Sequence, residues 1–192
     1  MIGKYNLLKT IILSPVLLVA IISMFISHKK SIILKDLVRW EINGNYLNEI
    51  NYVFKLSLLL VCKREFRNLF YKGIGGISYL LSVFLPPLEN VSKAACQIGP
   101  GFVMIHGFMT IINSSSVNGS NCTFMHNVTV GRGKNGGPII GNNVSIGAGA
   151  IIIGGIRIGN NVKIGAGAVV VDDVPDNSVV VGEKARVIKK VD

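Results

Sequence analysis

Cysteine is nearly missing from this 192-residue chain. Its three copies, Cys62, Cys96 and Cys122, lie far apart without C-x-x-C or Cys/His spacing, which argues against a disulfide framework and a cysteine-bound zinc site. A reducing compartment follows. Acids are scarce too, ten Asp and Glu against twenty Lys and Arg, and the resulting charge of +10 leans towards the N-terminal half. Nucleic-acid binding is set aside, because the bases are not interleaved with aromatics along a stripe. They flank apolar segments, which suits an anionic membrane surface better. The length allows one main domain with an appendage, not two full domains.

Charge is wholly absent from Thr10 to Ser27, "TIILSPVLLVAIISMFIS", between Lys4 and Lys9 on one side and His28, Lys29 and Lys30 on the other. The run is near the lower limit for a membrane span. No A-x-A-like cleavage site follows it, so a removed signal peptide is disfavoured. Three readings stay open for residues 10–27: a helix that dips into or spans a membrane, a helix buried against its own oligomer, and an uncleaved targeting segment. Residues 46–85 alternate apolar clusters with bases at helical spacing until Pro86-Pro87 ends any helix. Residues 1–87 therefore form an N-terminal helical region.

Beyond Pro87 the composition turns to Gly, Val, Ile, Asn and Ala with a period of six: IGNNVS from Ile140, IGAGAI from Ile146, IIGGIR from Ile152, IGNNVK from Ile158, IGAGAV from Ile164 and VVDDVP from Val170. An aliphatic residue at every sixth position cannot be a helix, whose apolar positions recur at 3.6. Gly and Asn supply the tight turns, and three hexads close one triangular coil of ~18 residues, a parallel β-helix over residues 88–192 with a C-terminal tail. Upstream, Val130, Phe124, Asn118 and Ile112 keep the step. Two extra residues lie between Met104 and Ile112, upstream of which Met104 and Ile98 resume the step, and four, within "RGKNGG" at 132–137, separate Val130 from Ile140. That loop is a candidate lid or phosphate contact, or a surface loop without function.

Hexads starting at Met104, Phe124, Ile146 and Ile164 fall on one face. Their third positions are His106, His126, Ala148 and Ala166, so two of the chain's three histidines are expected on adjacent rungs above two alanines. Imidazole is the side chain best suited to take a hydroxyl proton near neutral pH. The alanines leave a shallow strip where a long thin ligand can lie. Cys122, inward in its hexad, reads as core filler; Trp40, Phe54 and Phe66 read as packing residues; Asp172, Asp173 and Asp176 read as a solvated acidic run, not a metal site.

The stretch from Ile140 to Ile188 resembles the C-terminal part of the bacterial hexapeptide-repeat acyltransferases. "HGFMTIINSSSVNGSNCTFMHNVTVG" is similar to their serine acetyltransferase-like branch, nearest the acetyltransferases of capsule, colanic acid and O-antigen biosynthesis. The likeness covers residues 62 to about 190. It implies a left-handed β-helix, a homotrimer with active sites in the grooves between subunits, and acetyl-CoA as co-substrate, with no metal. By the same resemblance His106 is the general base for direct transfer, with His126 beside it. Ala148 and Ala166 line the pantetheine groove, Val171 and Asp172 contact it further down, and Arg186 and Lys189 approach the nucleotide phosphates, unless the closing "GEKARVIKK" is simply a solvated basic tail.

Serine acetyltransferases carry an aspartate before the catalytic histidine, another fifteen residues upstream and a further histidine in the loop. Here Ile105 and Val91 stand in the first two places and "RGKNGG" lacks the third, leaving Glu89 or His126 to orient His106. These losses favour a sugar hydroxyl over serine. The fold class expected is mainly β, with an N-terminal α-helical region. The function expected is O-acetylation of a saccharide acceptor, lipid-linked or polymeric, in the cytoplasm or at the inner membrane's cytoplasmic face. The rivals are serine O-acetylation, a zinc hydratase, which needs three histidines where the domain has two, and a non-catalytic scaffold.

Overall fold

The computed structural model describes residues 4–40, 51–88 and 97–182. Among these, six α-helices come first: α1 (Lys4–Ile12), α2 (Ser14–Ile26), α3 (Lys30–Arg39), α4 (Tyr52–Cys62), α5 (Arg64–Ile74) and, after a 3-10 turn at Gly75–Ile77, α6 (Ser78–Phe84). The charge-free run is not one helix. Leu13 divides it, and Pro15, in the first turn of α2, has no N–H to donate. Leu17, Ala20 and Met24 of α2 are buried, and α2 packs on α4 and α5 of its own chain. No described helix is long and apolar enough to cross a membrane, which corrects the spanning reading of residues 10–27.

Arg67 of α5, 4% exposed, shows how the helices are tied together. Its guanidinium donates to the carbonyls of Leu60 and Val61, which the end of α4 leaves without helical partners, and to Pro86 on the way out of α6. Tyr71 donates its hydroxyl to Leu85 at 2.7 Å, fixing the same exit. Trp40 and Phe66 pack edge to face at 5.4 Å. Phe54, expected to pack, is more than a third exposed, because it lies one position from the buried run Lys55–Val61 of α4.

The strands wind in coils of three. The first coil is β1 (Gln97–Ile98), β2 (Val103–Met104) and β3 (Ile111–Ile112), and the second β4 (Val117–Asn118), β5 (Thr123–Phe124) and β6 (Thr129–Gly131). The third is β7 (Ile139–Ile140), β8 (Ser145–Ile146) and β9 (Ile151–Ile153), and the fourth β10 (Arg157–Ile158), β11 (Lys163–Ile164) and β12 (Val169–Val170), with β13 (Val179–Val180) beginning a fifth. Every pairing between named strands is parallel, giving three sheets ordered β1-β4-β7-β10, β2-β5-β8-β11-β13 and β3-β6-β9-β12. This is a parallel β-helix, and the six-residue register sets it. Met104, Phe124, Ile146, Ile164 and Val180 stack on the second face, while Ile112, Val130, Ile152 and Val170 stack on the third. Their side chains fill the prism, where Phe102 meets Phe124 edge to face at 4.8 Å and Cys122 is buried as filler.

One hexad departs from its expected length. After Val170 the chain re-enters the first face at Val174, opposite Ile158, two residues early. At the corner between the first and second sheets, Asn143, Asn161 and Asn177 all take φ of 56 to 58°, which asparagine tolerates, and their amides form a ladder at 3.0 and 2.9 Å.

The helices are latched to the first coil by residues some sixty positions away. Asp36 of α3 accepts from the backbone N–H of Gly101 at 2.6 Å and of Phe102 at 3.2 Å, and the indole of Trp40 donates to the Phe102 carbonyl at 3.0 Å. Arg39 donates to the Gly101 carbonyl and, at 3.2 Å, to the Thr123 hydroxyl. Burial pushes the Asp36 carboxyl up to about 6, against the opposing pull of the two N–H donors and of Arg39.

Candidate functional site

The corner between the second and third sheets carries both histidines of the β-helix. Going down the coils, equivalent turn hydrogen bonds run from Asn127 N to Phe108 O, Gly149 N to His126 O, and Gly167 N to Ala148 O, at 3.0, 3.1 and 2.9 Å. The stacked positions are thus Phe108, His126, Ala148 and Ala166. His126, Ala148 and Ala166 share the column that the register requires. The rung above His126, expected to hold His106, holds Phe108, whose ring stacks on the imidazole at 5.1 Å with 15° between planes. The two extra residues of this coil cause the difference, since they push His106 out of the column at the same corner.

The local backbone makes that displacement. His106 has φ 51° and Met109 φ 55°, both left-handed and both bearing side chains. Between them, Phe108 N donates to His106 O at 2.7 Å, a three-residue turn centred on Gly107. A Cβ on Gly107 would lie 2.8 Å from Cβ of Met104, so only glycine fits beneath the turn. Left-handed conformations on two ordinary residues cost about 1–2 kcal/mol each. Such strain belongs where a side chain must point in a set direction, and here the His106 side chain is exposed.

Around His106 the exposed side chains are apolar: Ile105, Phe108 and Met109. No acid stands beside it in the chain to hold an ammonium group. His126 is half-buried, and its Nδ1 finds no hydrogen-bond partner among the described residues. Lower down, Ala148 is half-buried and Ala166 exposed, each followed by a glycine with φ near 70°. The edge there bears nothing larger than methyl groups, a fit for a thin, flexible chain but not for a bulky ring.

The remaining expected site residues are elsewhere. Val171 and Asp172 are exposed at the next corner, between the third and first sheets. The loop 132–137 lies at that corner too, as a small hairpin closed by Gly133 and Gly136 and resting on Gly154 and Gly155 of the coil below, with Arg132 and Lys134 exposed. Asp173 and Asp176, read as solvated, also accept from the backbone N–H of Arg157 and Asn160 at 2.7 and 2.8 Å and help to hold the last coils. Arg186, Lys189, Glu89 and Val91 lie outside the described residues. The sequence reasoning missed Phe108. An aromatic residue two places after a histidine, inside a two-residue insertion, was the available signal.

Between the two corners lies the outward face of the third sheet, where Ile111, Ile151 and Val169 line up with a single polar residue, Thr129, with Ile111 52% and Val169 63% exposed.

Known proteins resemble the chain along this β-helix. The family described as "Bacterial transferase hexapeptide (six repeats)" matches residues 137–172. An Escherichia coli protein carrying the name colanic acid biosynthesis acetyltransferase WcaB is 52% identical over 98 residues, half of this chain and 60% of that one. A serine acetyltransferase of Synechococcus elongatus is 40% identical over 134 residues, 67% of this chain and 55% of that protein. The chain thus spans between half and two thirds of these two relatives' length. Among solved structures, the serine acetyltransferase of Neisseria gonorrhoeae is 30% identical, with a TM-score of 0.57 over 84% of this chain and 67% of its own. The six-residue register, the triangular coils and these likenesses agree: the chain belongs to the bacterial hexapeptide transferase family.

Proposed function

We propose that the chain is an acetyl-CoA-dependent O-acetyltransferase acting on a sugar hydroxyl of a cell-surface polysaccharide or its lipid-linked precursor. The observation that carries this reading is His106, exposed and held in a left-handed turn at the head of an edge whose lower rungs are alanine. In the reaction, His106 takes the acceptor hydroxyl proton as that oxygen attacks the thioester carbonyl. It returns the proton to the departing coenzyme sulfur as the carbon–sulfur bond breaks. Ala148 and Ala166 leave room for the pantetheine arm, Val171 and Asp172 touch it further on, and Arg186 and Lys189 meet the phosphates. His126, stacked under Phe108, lines the acceptor side.

The working unit is a homotrimer. If the third sheet faces a threefold axis, its apolar side chains are buried, and each edge with His106 comes to face the neighbour's edge with Val171 and the loop 132–137. Two convex edges then make the groove that one cannot. Apolar neighbours of His106 favour the face of a pyranose ring over an amino acid. The enzyme works in the cytoplasm, with residues 10–27 in contact with the inner membrane, where a lipid-linked acceptor would be found.

A second reading, serine O-acetylation, is supported by the serine acetyltransferases among the relatives. Thiol release from acetyl-CoA, measured with purified protein, separates the two. Release driven by sugar acceptors and not by L-serine is expected; release driven by free serine alone would overturn the sugar assignment.

A further inference from the structure

The helical region leaves a wide apolar surface open. α2 buries one stripe and exposes the opposite one, including Leu18, Ile22 and Phe25, all at least half exposed. α6, in contact with α2, buries Leu81 and exposes Tyr79, Val83 and Phe84, the tyrosine to 82%. Neither helix contains an acid.

Bases gather at one end of this surface. The Lys30 ammonium lies 4.4 Å from the centroid of the Phe25 ring, so it stands at the edge of the exposed stripe, next to exposed Lys29. The Ser27 hydroxyl donates to the Gly73 carbonyl at 2.7 Å, joining the end of α2 to the end of α5, whose last turn carries Lys72. Pressing two copies of this face together would set apolar helices with no acid of their own against a like-charged rim. An anionic lipid surface accommodates both features, apolar side chains at the acyl boundary and lysines among the headgroups.

We infer that α2 and α6 together form a docking surface that lies in the plane of an anionic phospholipid bilayer, with Lys29, Lys30 and Lys72 at headgroup level. At ~1.5 Å per residue α2 is about 20 Å long, short of the ~30 Å hydrocarbon core, and its other side is buried in protein. Tyr79 suits the boundary, with an apolar ring and a polar tip. This deepens the membrane contact proposed above by adding α6, and it rests on the helices and not on the acyl-transfer chemistry.

The test is flotation of the full chain with vesicles of phosphatidylglycerol mixed with phosphatidylcholine, against phosphatidylcholine alone. Binding that is about tenfold stronger to the anionic vesicles and falls with added salt is expected. The pairs Ile22→Ser with Phe25→Ser, and Val83→Ser with Phe84→Ser, should each lower it by a similar factor. All four positions are exposed, so folding, checked by circular dichroism, should survive. Absence of flotation, indifference to lipid charge, or an α6 pair that floats like the parent overturns the inference. So does a fall in assembled mass of either pair in light scattering without vesicles, which would make the face a contact between copies. Thiol release from acetyl-CoA with a soluble acceptor keeps the two proposals apart. An inactive protein that floats counts against the reaction only, and an active one that does not float counts against docking only.

Discussion

A histidine with positive φ has few reasons to be where it is unless its direction matters, and His106 tests that directly. Asparagine is among the few side chains that accept this conformation. The variant His106→Asn is therefore expected to unfold at the same denaturant concentration as the parent while losing about 10²–10⁴-fold in kcat, with acetyl-CoA affinity unchanged. Calorimetric titration and thiol release read the two halves, and retained turnover would remove His106 as the base. Gly107 fails differently. A methyl group there meets Met104 inside the prism, so Gly107→Ala should cost about 1–3 kcal/mol in urea unfolding and misplace His106 as well.

Between elements, the junction of α3 with the first coil has a measurable pH signature. The Asp36 carboxyl is raised to about 6 in the folded chain from 3.8, so the folded state binds its proton more tightly than the unfolded state does. Its contribution is fully present below about pH 4 and is lost as pH rises through 6. The thermal midpoint should fall between pH 4 and pH 7 by an increment that disappears in Asp36→Asn, whose amide oxygen can still accept from Gly101 and Phe102. Asp36→Ala leaves both buried N–H groups unpaired and should cost about 2–3 kcal/mol below pH 4, where the carboxyl contributes in full. If Asp36→Asn keeps the parent's pH slope, that slope comes from elsewhere.

For the whole molecule, the decisive question is where the apolar face of the third sheet goes. Val169, on the last strand of that sheet, points outward, 63% exposed, and makes no part of the prism core. If that face lines a threefold axis, three copies of Val169→Asp would place carboxylates together, and light scattering should report a monomer. Folding by circular dichroism should be retained and activity lost, because the groove proposed above is built from two edges. A Val169→Asp variant that keeps a trimeric mass would place the axis on another face.

Residues 98 to 170 made the β-helix legible from the chain alone, because inward positions are mostly aliphatic wherever a strand passes, and a six-residue step states that directly. The same arithmetic found the corner shared by His106, His126, Ala148 and Ala166. It could not say which residues of "HGFM" leave the column. That choice belongs to Gly107 packed on Met104 within the first coil and to the Phe108 ring on His126 of the next, contacts that no spacing records. Likewise, a charge-free run is visible in sequence, but packing on α4 and α5 decided that one stripe of α2 is core and the other surface. The short-range period determined the scaffold, whose repeats are their own neighbours. Only tertiary contacts, such as Asp36 with Gly101 and Phe108 with His126, decided how the helices sit on it and where the His106 turn lies.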